Sequence, residues 1–138
     1  MTPAPLSATD YEALARFRRG LRAFLHFSEQ AAQAAGLHPA QHQLLLAIKA
    51  MTTAGHAGGP TIGDMAEWLM LRHNSAVELV DRAAAAGLVQ RHPDPEDARC
   101  QRLTLTAEGE GKLAVLSEQH RDELRRLREE TFADLLSI

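Results

Sequence analysis

Apolar residues recur at helical spacing through the first quarter of the chain. Leu14, Phe17, Leu21, Phe24, Leu25 and the pair Ala31–Ala32 fall on one face of a 3.6-residue period. The spacing predicts a helix over 11–36, stopped by Gly36. Gly20 lies inside it at a cost of ~1 kcal/mol relative to alanine, so the pattern carries this helix rather than propensity. "HPAQHQLLLAIKAM" predicts a second helix, with Pro39 in the first turn, where a missing N–H is harmless. "TTAGHAGG" is a loop closed by Pro60. In "TIGDMAEWLML", Thr61 and Asp64 have capping-box spacing, and Ile62, Met65, Ala66 and Leu69 share one face of a short third helix. "RHNSAVELVDRAAAAG" predicts a fourth, with Ala76, Leu79, Val80 and Ala83 inward and Gly87 as left-handed terminator.

The period then changes. "LVQRH" reads as a strand, and "PDPEDARC" as a turn broken by Pro93 and Pro95. In "QRLTLT", Leu103 and Leu105 face one way and Arg102 and Thr104 the other. Residues 88–105 therefore form a β-hairpin. Thr106 caps a last helix with Glu108 in its first turn. Leu113, Leu116, His120, Leu124, Leu127, Thr131 and Leu135 follow at nearly heptad spacing. A helix-turn-helix followed at once by a hairpin is the order of a winged helix. The predicted class is mainly α with a small β-hairpin wing.

This order suggests a chemistry. The side of the fourth helix opposite its inner stripe offers Arg72, His73, Asn74, Ser75, Glu78 and Arg82. A helix in a major groove presents such groups to base edges. The wing brings Arg99 alongside, suited to the minor groove. The acids and prolines of the loop shape it, and Asp97, two residues away, is placed to orient Arg99. Arg102 and Arg91 are phosphate contacts or outward strand charges. Arg16, Arg18, Arg19 and Arg22 read as a solvated helix face.

"LVDRAAAAGLVQRHPDPEDARCQRLTLTAEGEGKL" resembles the MarR family of winged helix-turn-helix transcriptional regulators. The matching residues are Leu79–Arg82, Gly87–Val89 with Arg91, Asp97 with Arg99, and Leu103, Leu105, Thr106 and Gly109. "LHPAQHQLLLAI" is similar to the family's second helix, and the likeness covers about residues 10–136. It implies a homodimer with an N-terminal dimerisation helix over 1–36, a DNA-binding lobe over 37–105 and a C-terminal dimerisation helix over 106–138. It also implies a sequence-specific regulator on a palindromic double-stranded DNA operator, a repressor released by a small molecule or an oxidant. By the same resemblance Arg99 is the minor-groove residue, and Asn74 and Ser75 face bases. Phe24, Phe27, His42 and Trp68 are candidates for an effector crevice. Met70 stands where the family's tight turn often has glycine, and Arg72 where a Ser or Thr cap is usual.

Composition narrows the alternatives. A chain of 138 residues suits one domain with a real core. One cysteine excludes an internal disulfide and favours a reducing, cytoplasmic setting. No signal peptide or membrane span is read from the pattern. The net charge is −3, and residues 61–106 carry 5 basic and 7 acidic groups. That balance favours the rival reading, a winged-helix protein–protein module without DNA binding. His38 and His42 are four apart, but no third ligand has metal spacing, so no metal and no cofactor are implied. Cys100, beside Arg99, is the candidate redox residue. Phosphate loops, nucleophile elbows and paired carboxylates are missing from the sequence, so no enzyme is expected.

Overall fold

A serine three residues ahead of an aspartate starts the first helix. Ser7 Oγ accepts from Asp10 N at 3.1 Å, and Asp10 Oδ2 accepts from Ser7 N at 2.9 Å. This reciprocal cap moves the start of α1 to Ala8, ahead of Tyr11, and the helix runs Ala8–Ala34. The computed structural model describes residues 1–54 and 58–129. After α1 come α2 (Pro39–Thr53), α3 (Ile62–Trp68), α4 (His73–Ala85), β1 (Val89–Pro93), β2 (Gln101–Leu105) and α5 (Ala107–Leu127). Thr61 and Asp64 form the capping box that their spacing predicts, with bonds of 3.1 and 2.9 Å. The seam positions Thr131 and Leu135 lie outside the described residues.

α2 is the centre of the molecule, in contact with α1, α3, α4, α5 and β2. Leu44, Leu45 and Ile48 of α2 are buried with Met65, Val80, Leu88, Leu103 and Leu116. The core is thus aliphatic, as the low aromatic content requires. α4 buries Ala76, Val80 and Ala83 and exposes its other face. The hairpin is antiparallel, with Val89 opposite Leu105 and Pro93 opposite Gln101. Leu103 is fully buried, Leu105 is half-buried, and Thr61 forms an isolated bridge to Arg102.

α1 departs from the periodic pattern. Its buried positions are the small residues Ala13, Gly20, Ser28 and Ala32. Tyr11, Leu14 and Leu25 are exposed, as are Val115 and Leu124 of α5. α1 and α5 pack on each other through part of their surface and leave these apolar side chains uncovered within the single chain.

Three helices stop in the same way. After α1 and α4, a glycine at positive φ (Gly36 at 78°, Gly87 at 75°) is followed by an amide that reaches back to the last turn. Leu37 N donates to Ala32 O at 2.9 Å, and Leu88 N to Ala83 O at 3.0 Å. After α3, Leu71 N donates to Ala66 O at 2.8 Å, but the left-handed residue is Met70 at φ 56°. A side chain in that region costs roughly 1–2 kcal/mol. Met70 is fully solvated, so its side chain returns little by burial.

Thr106 and Gly109 form the joint between wing and last helix. Thr106 Oγ accepts from Gly109 N at 3.0 Å and donates to Gly87 O at 2.6 Å. A Cβ on Gly109 would lie 2.2 Å from Leu88 O. Two substitutions should therefore act in opposite directions on thermal unfolding. Met70→Gly should stabilise by up to about 1 kcal/mol, a rise of roughly 3 °C in Tm. Gly109→Ala should destabilise by about 2 kcal/mol or more, because backbone must move. A fall for the first or no change for the second would contradict the turn and joint described here.

Candidate nucleic-acid interface

One-sided burial of α4 decides which of its side chains meet solvent. With Ala76, Val80 and Ala83 inward, Arg72, His73, Asn74, Ser75, Glu78 and Arg82 are all exposed. Arg72 is the N-cap residue, and its side chain makes no capping bond. The first turn of α4 therefore keeps backbone N–H groups directed outward, at the positive end of the helix dipole. Ser75, Glu78 and Arg82 share a shallow hollow with His38 and Gln41 at the start of α2. His38 is occupied locally: its Nδ1 accepts from Ala40 N at 3.2 Å.

The wing loop is built by its acids. Asp94 Oδ1 accepts from Glu96 N at 2.8 Å, and Asp94 N donates to Cys100 O at 2.9 Å. Cys100 N donates to Asp97 O at 2.9 Å. Asp97 Oδ1 accepts from both the backbone N and the side-chain Nε of Arg99, each at 3.1 Å. Asp97 and Arg99 are thus brought together, and the Arg99 side chain remains 91% exposed. The Arg99 guanidinium, then its backbone N–H, holds the Asp97 carboxyl below its ordinary value. For Asp94 the Glu96 N–H leads, followed by Arg102. Cys100 is exposed, and its Sγ lies 3.8 Å from Asp97 Oδ2.

The other wing arginines are engaged. Arg91 Nη2 bonds Asp81 Oδ1 at 2.5 Å, joining β1 to α4. Arg102 binds Asp94 through Nε at 3.0 Å and Nη2 at 2.8 Å, and Gly59 O through Nη1 at 3.2 Å. Sequence reading missed Asp94 and Gly59. The Asp-Pro pair signals a turn, but a contact across 43 residues leaves no local mark.

Of the four crevice candidates, Phe24 and His42 line a cavity of about 500 Å³ among α1, α2 and α5. Phe27 lies behind it, edge-on to His120 at 5.3 Å. Trp68 stands exposed at the end of α3, away from the lining. The cavity adds Ser28 and His120, with Arg121, Arg125 and Arg128 along one side of α5. Those arginines follow i, i+4, i+7 spacing, a signal present in "RDELRRLREE" but readable there as a solvated face. His120 Nδ1 faces Leu116 O at 2.6 Å, and a carbonyl only accepts, so the ring proton sits on Nδ1. Nε2 lies 2.8 Å from the Ser28 hydroxyl oxygen, within hydrogen-bond distance. The His42 ring is 4.7 Å from that of His120 and is 2% exposed. Its Nδ1 has no hydrogen-bond partner among the described residues. Among those residues no group of three His, Cys, Asp or Glu is placed to hold a metal, and no helix is long and apolar enough to cross a membrane.

The MarR family's sequence model matches residues 35–99, from the end of α1 to the wing arginine. The uncharacterised HTH-type transcriptional regulator YcgE of Bacillus subtilis (strain 168) is 36% identical over 94 residues, 67% of this chain. The chain belongs to the MarR family. The match spans 56% of the length of YcgE, so it covers only about half of that relative. Among solved structures, the MarR family transcription regulator SP03579 superposes with a TM-score of 0.73 at 22% identity, over 92% of this chain and 81% of that one. A mutant MarR from E. coli, complexed with operator DNA, gives 0.70 at 19% identity, over 87% and 82%. The MarR fold, a winged helix-turn-helix, is therefore that of this chain.

His42 gives this MarR-family chain a pH dependence of stability. Burial, then the charge of His120, pushes the pKa of His42 down to about 4. In the unfolded chain the ring takes a proton near its ordinary value, about 6.5. Between these values the unfolded state binds more protons, so stability is full above pH ~6.5 and falls as pH drops towards 4. The loss from pH 7.5 to pH 5 should be about 2 kcal/mol in urea unfolding. His42→Leu should flatten that part of the profile. A profile identical to the native one would show that His42 does not carry it.

Proposed function

We propose that this chain is a homodimeric, sequence-specific regulator of transcription that binds a palindromic site on double-stranded DNA. The observation that carries this reading is a convergence on one lobe. The exposed first turn and outer face of α4 offer Arg72, His73, Asn74, Ser75, Glu78 and Arg82, and the wing presents Arg99 almost wholly to solvent. α4 has the dimensions to enter a major groove, with Asn74 and Ser75 nearest to base edges and Arg99 in the neighbouring minor groove. The related E. coli MarR, whose structure was solved on operator DNA, supports the same role.

The exposed Tyr11, Leu14 and Val115 support pairing of two chains through α1 and α5. In that arrangement 1–36 and 106–138 are the dimerisation segments, with 130–138 outside the described residues, and 37–105 is the DNA-binding lobe. Action as a repressor fits the reading, and the cavity beside His42 and His120 supports release by a small molecule. Release by oxidation of Cys100 has weaker support, because the thiol faces a carboxylate. No catalysis is assigned, and the protein works in the cytoplasm. The acidic balance of residues 61–106 favours the second reading, a protein–protein module without DNA binding.

Selection of bound duplexes from random DNA separates the two. A recovered palindrome with half-sites on the order of 34 Å apart fits the first reading; no enrichment at low salt supports the second. On the selected duplex, Arg99→Ala should weaken binding by ~1–3 kcal/mol and reduce the salt slope by about one, with fold stability unchanged. Unchanged affinity would remove the wing from the mechanism.

A further inference from the structure

We propose that Arg102 is a positioning residue that sets the angle of the wing, and that it reaches no phosphate. The inference rests on the DNA-binding reading above. Strand alternation turns Arg102 away from the buried Leu103, which is why it reads from sequence as an outward cation. Its guanidinium is engaged instead. The Nε/Nη2 edge closes on Asp94 Oδ2 at 3.0 and 2.8 Å, and Nη1 donates to Gly59 O at 3.2 Å. The Asp94 side chain is 13% exposed and that of Arg102 28%, against 91% for Arg99.

These bonds form a continuous link from the lobe to the wing tip. Gly59 and Pro60, just before α3, are pressed against β2: Leu103 N donates to Pro60 O at 2.8 Å, and a Cβ on Gly59 would lie 1.9 Å from Leu103 O. Arg102 joins that loop to Asp94. The same carboxylate, through its other oxygen, holds the Glu96 amide and so the turn that leads to Asp97 and Arg99. A phosphate could take the Nε/Nη2 fork of Arg102 only by displacing Asp94 Oδ2, which would untie the turn that aims Arg99 from the loop before α3. The side chain is therefore worth more to the wing as a tie than as a contact.

Four variants test this on the duplex recovered by selection, with affinity measured across salt concentrations. Arg102→Lys keeps the charge and loses the fork. It should weaken binding roughly 10-fold with the salt slope unchanged. Asp94→Asn should weaken binding similarly, although it removes a negative charge, and the double variant should be little worse than either alone. Near-native affinity for Arg102→Lys, with a slope lowered by about one in Arg102→Gln and tighter binding by Asp94→Asn, would make Arg102 a phosphate contact and overturn the proposal.

Hydrogen exchange of the DNA-free protein tests the tie independently. Faster exchange at the Leu103 and Cys100 amides in Arg102→Lys and Asp94→Asn supports it; native rates overturn it. If no duplex is recovered at all, the DNA-binding reading fails, and the exchange rates still decide whether Arg102 holds the wing.

Discussion

α4 can offer a polar face only because its opposite face is covered. Ala76, Val80 and Ala83 are buried, and Val80 and Ala83 join the core that contains Leu44, Leu45 and Ile48 of α2, with the half-buried Leu79 packed against it. Small side chains on that stripe bring the helix close to its neighbours, so its orientation is set by near-backbone packing rather than by long, adaptable side chains. The same core takes Leu88 and Leu103 from the hairpin. Helix and the base of the wing are therefore fixed to one body, so Asn74 is placed by apolar packing that it does not join, while the polar ties of the wing loop carry Arg99 outward from that base.

Local signals made most of the elements legible. The Thr61–Asp64 box, Gly36, Gly87, and the alternation around Leu103 each act within a few residues, and each is found where the pattern puts it. The start of α1 was readable in principle, since Ser7 and Asp10 have the same box spacing as Thr61 and Asp64. The distant pairs were not readable. Nothing within the hairpin announces that Arg102 meets Gly59, or that Ser28 and His120, 92 residues apart, share a hydrogen bond. Periodicity also misjudges burial where apolar residues have no cover in one chain. Leu14 and Leu25 keep helical spacing and stand exposed, because periodicity marks a shared face without saying what lies against it.

The group between α1, α2 and α5 has a different character from the rest of the interior. Elsewhere the buried side chains are aliphatic, but here Ser28, His42 and His120 meet beside a cavity with arginines on one side. Among the described residues the lining contains no carboxylate, so a proton added to His42 would meet cations and hydrocarbon. His120 has a partner at each ring nitrogen, Leu116 O and Ser28 Oγ, whereas His42 Nδ1 has none among the described residues. The stability of the native arrangement at low pH is thus tied to His42, a residue that also lines the cavity.

Net charge is a poor guide to the field of this lobe. Residues 61–106 hold two more acids than bases, yet four of the seven acids are committed locally. Asp64 caps α3, Asp81 pairs with Arg91, Asp94 with Arg102, and Asp97 with Arg99. A close pair acts at a distance as a dipole rather than as two charges, and its direction matters more than its sum. In the Asp97–Arg99 pair the cation is the outer member, 91% exposed against 41% for its partner. The wing tip therefore presents the positive end of that dipole outward. Exposed Arg72 and the uncapped start of α4 add positive potential on the same lobe. Acids that make the sequence look unsuited to a polyanion are, in the folded chain, the groups that hold its arginines in position.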